Sequence, residues 1–277
     1  MITNRSLMWG CRQLVLNGLI AALTVGTGFA QDATQKAWDI LNKAVGESSV
    51  QKRSQAVAAL GLIKRDSQAQ TLATKAINDA KPEVRVAGAN ALGEMLATES
   101  IPQLTAALKD KDVSVVLAAA HSLYALKQPV AYEVYYAILT KERKSGQGLM
   151  EEQKKMLSDP KKMAQFGFEQ GIGFVPFAGL GLGVVKAVTK DDESPVRAAA
   201  AKTLAHDSDP RSGEALVKAA SDKSWIVRAA ALDAIAHRGD PALATRIAPQ
   251  LDDEKDVVRY VAAAATIQLS GGGAAKD

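Results

Sequence analysis

His206, Asp233 and His237 carry groups that could hold a metal or move a proton. The two histidines stand 31 positions apart, and Asp233 precedes His237 by four, one turn of an α-helix. Two imidazoles and a carboxylate form a workable ligand set for a first-row transition metal. Their context favours a different use. A histidine near a helix C-terminus is favoured by the helix dipole, and Gly239 after His237 has the character of a helix stop. The expectation is therefore no metal, with the histidines on a polar surface that contacts a peptide.

Other chemistry has little support. The chain has no G-x-S-x-G elbow, no H-E-x-x-H and no Walker loop. Its single cysteine, Cys11, lies in the first thirty residues, so the remainder has no thiol nucleophile, disulfide or cysteine-based metal site. Paired acids such as Asp252 and Asp253 fall in turns, where capping and solvation account for them. No catalytic residue, cofactor or small-molecule substrate is expected. An activity assembled from scattered surface residues would escape inspection for motifs.

The element that must position these groups is a repeat. Arg53, Arg85, Val116, Arg197, Arg228 and Arg259 share one phase, with gaps of 32, 31, 81, 31 and 31 residues, the long gap being one period plus an insertion. Six places earlier comes an acid: Glu47, Asp79, Asp110, Asp191, Asp222 and Asp253. One place earlier comes valine in every unit except the first, which has Lys52. Three places later the residue is small, and seven places later it is Leu or Ile except for Thr266 in the last unit. Positions minus one, three and seven lie on one face of a helix. Each repeat then holds one such helix and a partner helix, over Ser67 to Asp79, Ile101 to Lys109, Pro210 to Ser221 and Pro241 to Leu251. So short a pair cannot bury its apolar faces alone and must stack on its neighbours.

DESPVRAAAAKTL (Asp192 to Leu204) and DAKPEVRVAGANAL (Asp79 to Leu92) resemble the HEAT-like repeats of the phycobilisome-lyase type, over about 50 to 143 and 191 to 269. The resemblance implies an all-α fold, a right-handed α-α superhelix (HEAT/armadillo-like solenoid) of about six helical hairpins with one insertion. Relatives in that family include scaffolds, chromophore lyases and a di-iron hydroxylase. The hydroxylase branch is marked by His-Glu pairs, whereas His121, His206 and His237 are followed by Ser, Asp and Arg.

The face opposite the core stripe carries Asn90, Glu94, His121, Lys202, His206, Asp233, His237, Tyr260 and Gln268. In the architecture the resemblance implies, this side lines the concave groove, which makes all of them except Tyr260 the expected partner contacts. His206 and His237 should then sit on adjacent helices about 10 Å apart. Arg53, Arg85, Arg197, Arg228 and Arg259 lie at the border of core and groove, where each can pair with the acid of its own or the neighbouring repeat. They read as a structural ladder.

Residues 1–30 have the form of a secretory signal, with Arg5 and Arg12, an uncharged stretch from Leu14 to Phe29, and small residues around Ala30. Sixteen residues make a helix of roughly 24 Å, short of the roughly 30 Å membrane core, so cleavage before Gln31 is expected. Cleavage would leave 32 basic against 30 acidic residues and a net charge of +2 in place of +4. A chain so nearly balanced lacks the concentrated basic face that nucleic acid requires.

Residues 31–144 read as N-terminal repeats opened by a capping helix, 191–270 as C-terminal repeats, and 271–277 as a disordered tail. Between them, 145–190 form an insertion, charged at first and then uncharged from Gln170 to Val185. Phe166, Phe168, Phe174, Pro176 and Phe177 make this second half a candidate contact surface for a partner or a membrane. The segment either packs back on the solenoid or stands exposed. The resulting expectation is an exported, periplasmic or extracellular, non-enzymatic scaffold that binds a protein partner. Alternatives are a membrane-associated tether using residues 166–188, or the lyase-like or chaperone-like activity that the family resemblance implies.

Overall fold

The computed structural model describes residues 31–140 and 193–271. The signal segment, the insertion with Phe166, Phe168, Phe174, Pro176 and Phe177, and the tail beyond Gly271 lie outside them. Every regular element among the described residues is helical. In chain order these are α1 (31–44), α2 (Val50–Leu60), α3 (Ser67–Ala76), α4 (Pro82–Glu94), α5 (Ile101–Ala107), α6 (Val113–Ala125) and α7 (Val130–Thr140), followed by α8 (Ser194–Leu204), α9 (Pro210–Ala219), α10 (Trp225–Arg238), α11 (Ala244–Ile247) and α12 (Asp256–Ser270). The last partner segment is not one helix. It is two 3-10 turns, Pro241–Leu243 and Ala248–Asp252, around the single turn of α11. Pro249 explains the break, because it offers no amide hydrogen to continue an α-helix.

The even-numbered helices form the stack, and their periodic stripe is its core. Val84, Leu92, Val115, Leu123, Val227, Ile235 and Val258 are all buried. The small residue between them sets the helix spacing. A Cβ on Gly88 would come within 2.9 Å of the Ala73 carbonyl oxygen and the Ile77 nitrogen, so α4 rests directly on the backbone of α3. Helix starts are capped by Ser49, Asp66, Asp112 and Asp209, whose side chains accept from the amides of Lys52, Ala69, Ser114 and Arg211. Gly239, at φ 68°, ends α10 in the left-handed region.

The acid six places before the anchor does something other than cap a helix. Asp79, Asp110, Asp222 and Asp253 each accept, at 2.8 Å, from the amide two residues ahead, which folds the turn. The same carboxylates receive the arginine of the preceding repeat: Arg53 on Asp79, Arg85 on Asp110, Arg197 on Asp222 and Arg228 on Asp253. Arg53, Arg85 and Arg228 also donate to two carbonyls of their own turn. One guanidinium thus ties two turns of consecutive repeats.

The order of the stack is not the order of the chain. Helices α8, α10 and α12 come first, and α12 then packs on α2, followed by α4 and α6. The C-terminal block therefore precedes the N-terminal block in space, and α1 is not an end cap. Lys36 of α1 pairs with Asp252 at 2.6 Å, Lys52 with Asp256 at 3.1 Å, and the Lys64 amide donates to Gln268 Oε1 at 2.8 Å. The physical reason lies in α12, where eleven residues, including Tyr260, Val261 and Ala265, are buried. A helix apolar on all sides must be covered on all sides. Helix α8 shows the opposite condition, since Val196 is 72 % exposed where its counterparts Val227 and Val258 are buried. Among the described residues, it stands at an end of the stack.

Candidate functional site

Charged groups on α4, α8 and α10 lie within electrostatic reach of one another. Glu94 is the last residue of α4, Lys202 lies in the last turn of α8, and Asp233 and His237 lie on α10. Glu94 feels the charges of Asp233, Lys202 and Lys64, and Asp233 feels those of His237 and Lys202. Residues from both blocks therefore meet, although α8 and α4 are separated in the stack by three helices.

Glu94 has a strongly perturbed carboxyl. Its side chain packs over Gly61, where a Cβ would lie 2.4 Å from Oε2. It makes no hydrogen bond or ion pair to another described residue. Crowding by protein, with the Asp233 charge added, lifts its pKa to about 7, and Lys202 and Lys64 offset only part of the rise. Water still reaches the side chain, since Glu94 is exposed at the end of α4. The Asp233 carboxyl is likewise pushed up by burial, against the pull of His237 and Lys202.

His237 Nδ1 lies 2.9 Å from the Asp233 carbonyl oxygen and 3.7 Å from Asp233 Oδ2. A proton on Nδ1 leaves Nε2 as the outward acceptor. The His206 ring stands edge-on to it, 6.4 Å between centroids. Beside the pair is an open cavity of about 410 Å³ lined by His206, Asp207, Ser208, His237, Arg238 and Asp240. Among the described residues no group of three or more His, Cys, Asp or Glu is placed to hold a metal.

The stripe of groove residues divides into three. Glu94, Lys202, Asp233 and His237 form one chain of charge interactions, and His206 stands against His237. Asn90 is half-buried on α4 and His121 exposed on α6, each without a hydrogen bond or ion pair to the described residues. Gln268 and Tyr260 belong to the seam between the blocks. Gln268 accepts from Lys64, and Tyr260 is buried, its hydroxyl pushed up to about 12 by burial and by the carboxylates of Asp256 and Glu47. Tyr260 is thus no groove contact, because the seam covers it. Of the ladder residues, Arg259 lies at the seam, and binds Asp256 and the Asp253 carbonyl.

Lys64 and the seam pairs Lys36–Asp252 and Lys52–Asp256 do not appear in the periodic reading. A signal for the seam was nonetheless present, in the two units that break the consensus. Lys52 replaces valine in the first and Thr266 replaces leucine in the last, and these are the units that meet. Thr266 is buried, and its hydroxyl has no hydrogen-bond partner among the described residues.

The family profile for HEAT repeats matches residues 69–145 and 182–266, more than half of the chain. Among solved structures, the complex of CpcE and CpcF of phycocyanin lyase from Nostoc sp. PCC7120 is similar at 20 % identity and a TM-score of 0.33, over 82 % of this chain and 93 % of that one. Human deoxyhypusine hydroxylase in complex with glycerol is similar at 17 % identity and a TM-score of 0.33, over 87 % and 98 % of the two chains. No curated protein matches.

Proposed function

The chain belongs to the HEAT-repeat family, and from that premise we propose that it is a non-enzymatic, exported scaffold that holds a protein partner in the hollow of its curved stack. The reading is supported by Glu94, a carboxyl that makes no hydrogen bond or ion pair to another described residue and feels the charges of Lys202 and Asp233 in the opposite block. A side chain kept in that condition represents binding capacity: it costs stability in the free protein and is relieved by a partner that supplies donors. The solenoid around it provides a rigid, preformed surface, which lowers the ordering cost of binding. Export rests on the form of residues 1–30.

The test is capture of partners from an envelope fraction by the immobilised protein, beside the double variant Glu94→Lys/Asp233→Lys. A protein retained by the native chain and lost from a variant of unchanged helicity is the expected result. Identical capture by both overturns the role of the hollow. A third arm lacking residues 167–188 separates groove binding from binding through the insertion, and flotation with liposomes tests the tether.

A further inference from the structure

We propose that the exposed apolar face of α8 is a docking surface for the chain's own residues 179–188, which lie against it as the partner helix of that repeat.

The face is defined by what its counterparts touch. The stripe of a stack helix rests on the partner helix of its own repeat, as Gly88 shows, where a Cβ would meet the Ala73 carbonyl oxygen and the Ile77 nitrogen at 2.9 Å. Val84, Gly88 and Leu92 of α4, Val115, Ala119 and Leu123 of α6, and Val227, Ala231 and Ile235 of α10 are all buried. The same positions in α8 are Val196, Ala200 and Leu204. The first two are exposed and the third is half-buried. Another side of α8 is covered in the ordinary way, with Ala198, Ala201 and Ala205 buried and α10 packed against the helix. Among the described residues, α8 has no partner helix before it.

The chain immediately upstream has the length and the register to supply one. Partner helices α3, α5 and α9 are each joined to the next stack helix by five residues, 77–81, 108–112 and 220–224. Five residues before Ser194 are 189–193, and the ten before those, the length of α3 and α9, are 179–188. In the other repeats the positions sixteen and twelve before the anchor are buried, as Ala69 and Ala73, Ser100 and Leu104, Ser212 and Leu216, and Leu243 and Ile247. Counted from Arg197 they are Gly181 and Val185, one small and one apolar. The second match to the HEAT-repeat profile begins at residue 182, inside this run. Gly179, Gly181 and Gly183 weaken a helix left to itself, so the run needs a surface as much as α8 needs cover. A second copy of the chain is the weaker competitor. It must displace a segment tethered five residues from α8, at an effective concentration on the order of millimolar.

The test is disulfide trapping in the full chain carrying Cys11→Ser, which removes its one native thiol. By the contact of Ala73 with Gly88, Val185→Cys and Ala200→Cys should come within disulfide reach. Expected on mild oxidation is a link within one chain. It should form at least about tenfold faster than in Lys186→Cys/Ala200→Cys, whose first thiol is turned by about 100° round the helix. Equal rates for the two pairs, a link found only between copies, or no link in a chain of native helicity overturns the assignment. Loss of the link on adding phosphatidylglycerol vesicles would make a membrane the occupant in place of α8. Val185→Asp gives a reading without cysteines: it should lower the melting temperature by several degrees, and an unchanged melting temperature overturns the docking.

Discussion

Arg228 and Asp253, twenty-five residues apart, meet in a two-pronged ion pair with Nε to Oδ2 at 2.6 Å and Nη2 to Oδ1 at 2.9 Å. Both side chains are almost fully buried, and the remaining guanidinium nitrogen donates to the Asp222 and Lys223 carbonyls. Removing one partner strands a buried charge. Asp253→Ala should lower stability by about 3–5 kcal/mol in urea unfolding, and adding Arg228→Met should recover part of the loss. Equal costs for the single and double variants would mean that the pair is not coupled.

The approach of α4 to α3 allows no side chain at position 88. Gly88→Ala places a methyl group 2.9 Å from backbone atoms that cannot move aside singly, and should cost about 1–3 kcal/mol. Gly46→Ala, which meets only ordinary contacts of 3.5 Å or more, is the control and should change little.

The order of the stack has a direct chemical readout. Lys36 Nζ lies 2.6 and 2.7 Å from the two oxygens of Asp252, so a zero-length carbodiimide reagent should join them by an amide bond within one chain. Mass spectrometry of the digested monomer should recover that linked peptide. A stack in chain order, with α1 at one end, would not yield it.

Glu94 makes stability depend on pH near neutrality. Its folded pKa of about 7 lies above the ordinary 4.5, so between these values the folded chain keeps a proton that the unfolded chain releases. Stability from this group therefore falls as pH rises through that window and levels off above it. Glu94→Gln should flatten the fall, as measured by melting temperature from pH 5 to 8. A slope identical to that of the native chain would show that Glu94 titrates normally.

The sequence by itself determined the repeat, its 31-residue period, the helix faces and the arginine ladder. These depend on contacts within a repeat or between consecutive ones, and such contacts leave a regular imprint. Val84, Gly88 and Leu92 could be read as one face because helical geometry alone puts them there. Only the tertiary structure decided that the C-terminal block stacks ahead of the N-terminal one. Lys52, Thr266 and the apolar circumference of α12 hinted at it, but no spacing links residues 36 and 252. The same holds for the hollow: Glu94 and Asp233 appeared separately on one stripe. Their charges reach one another only because α12 is seated on α2, a contact that no single repeat encodes.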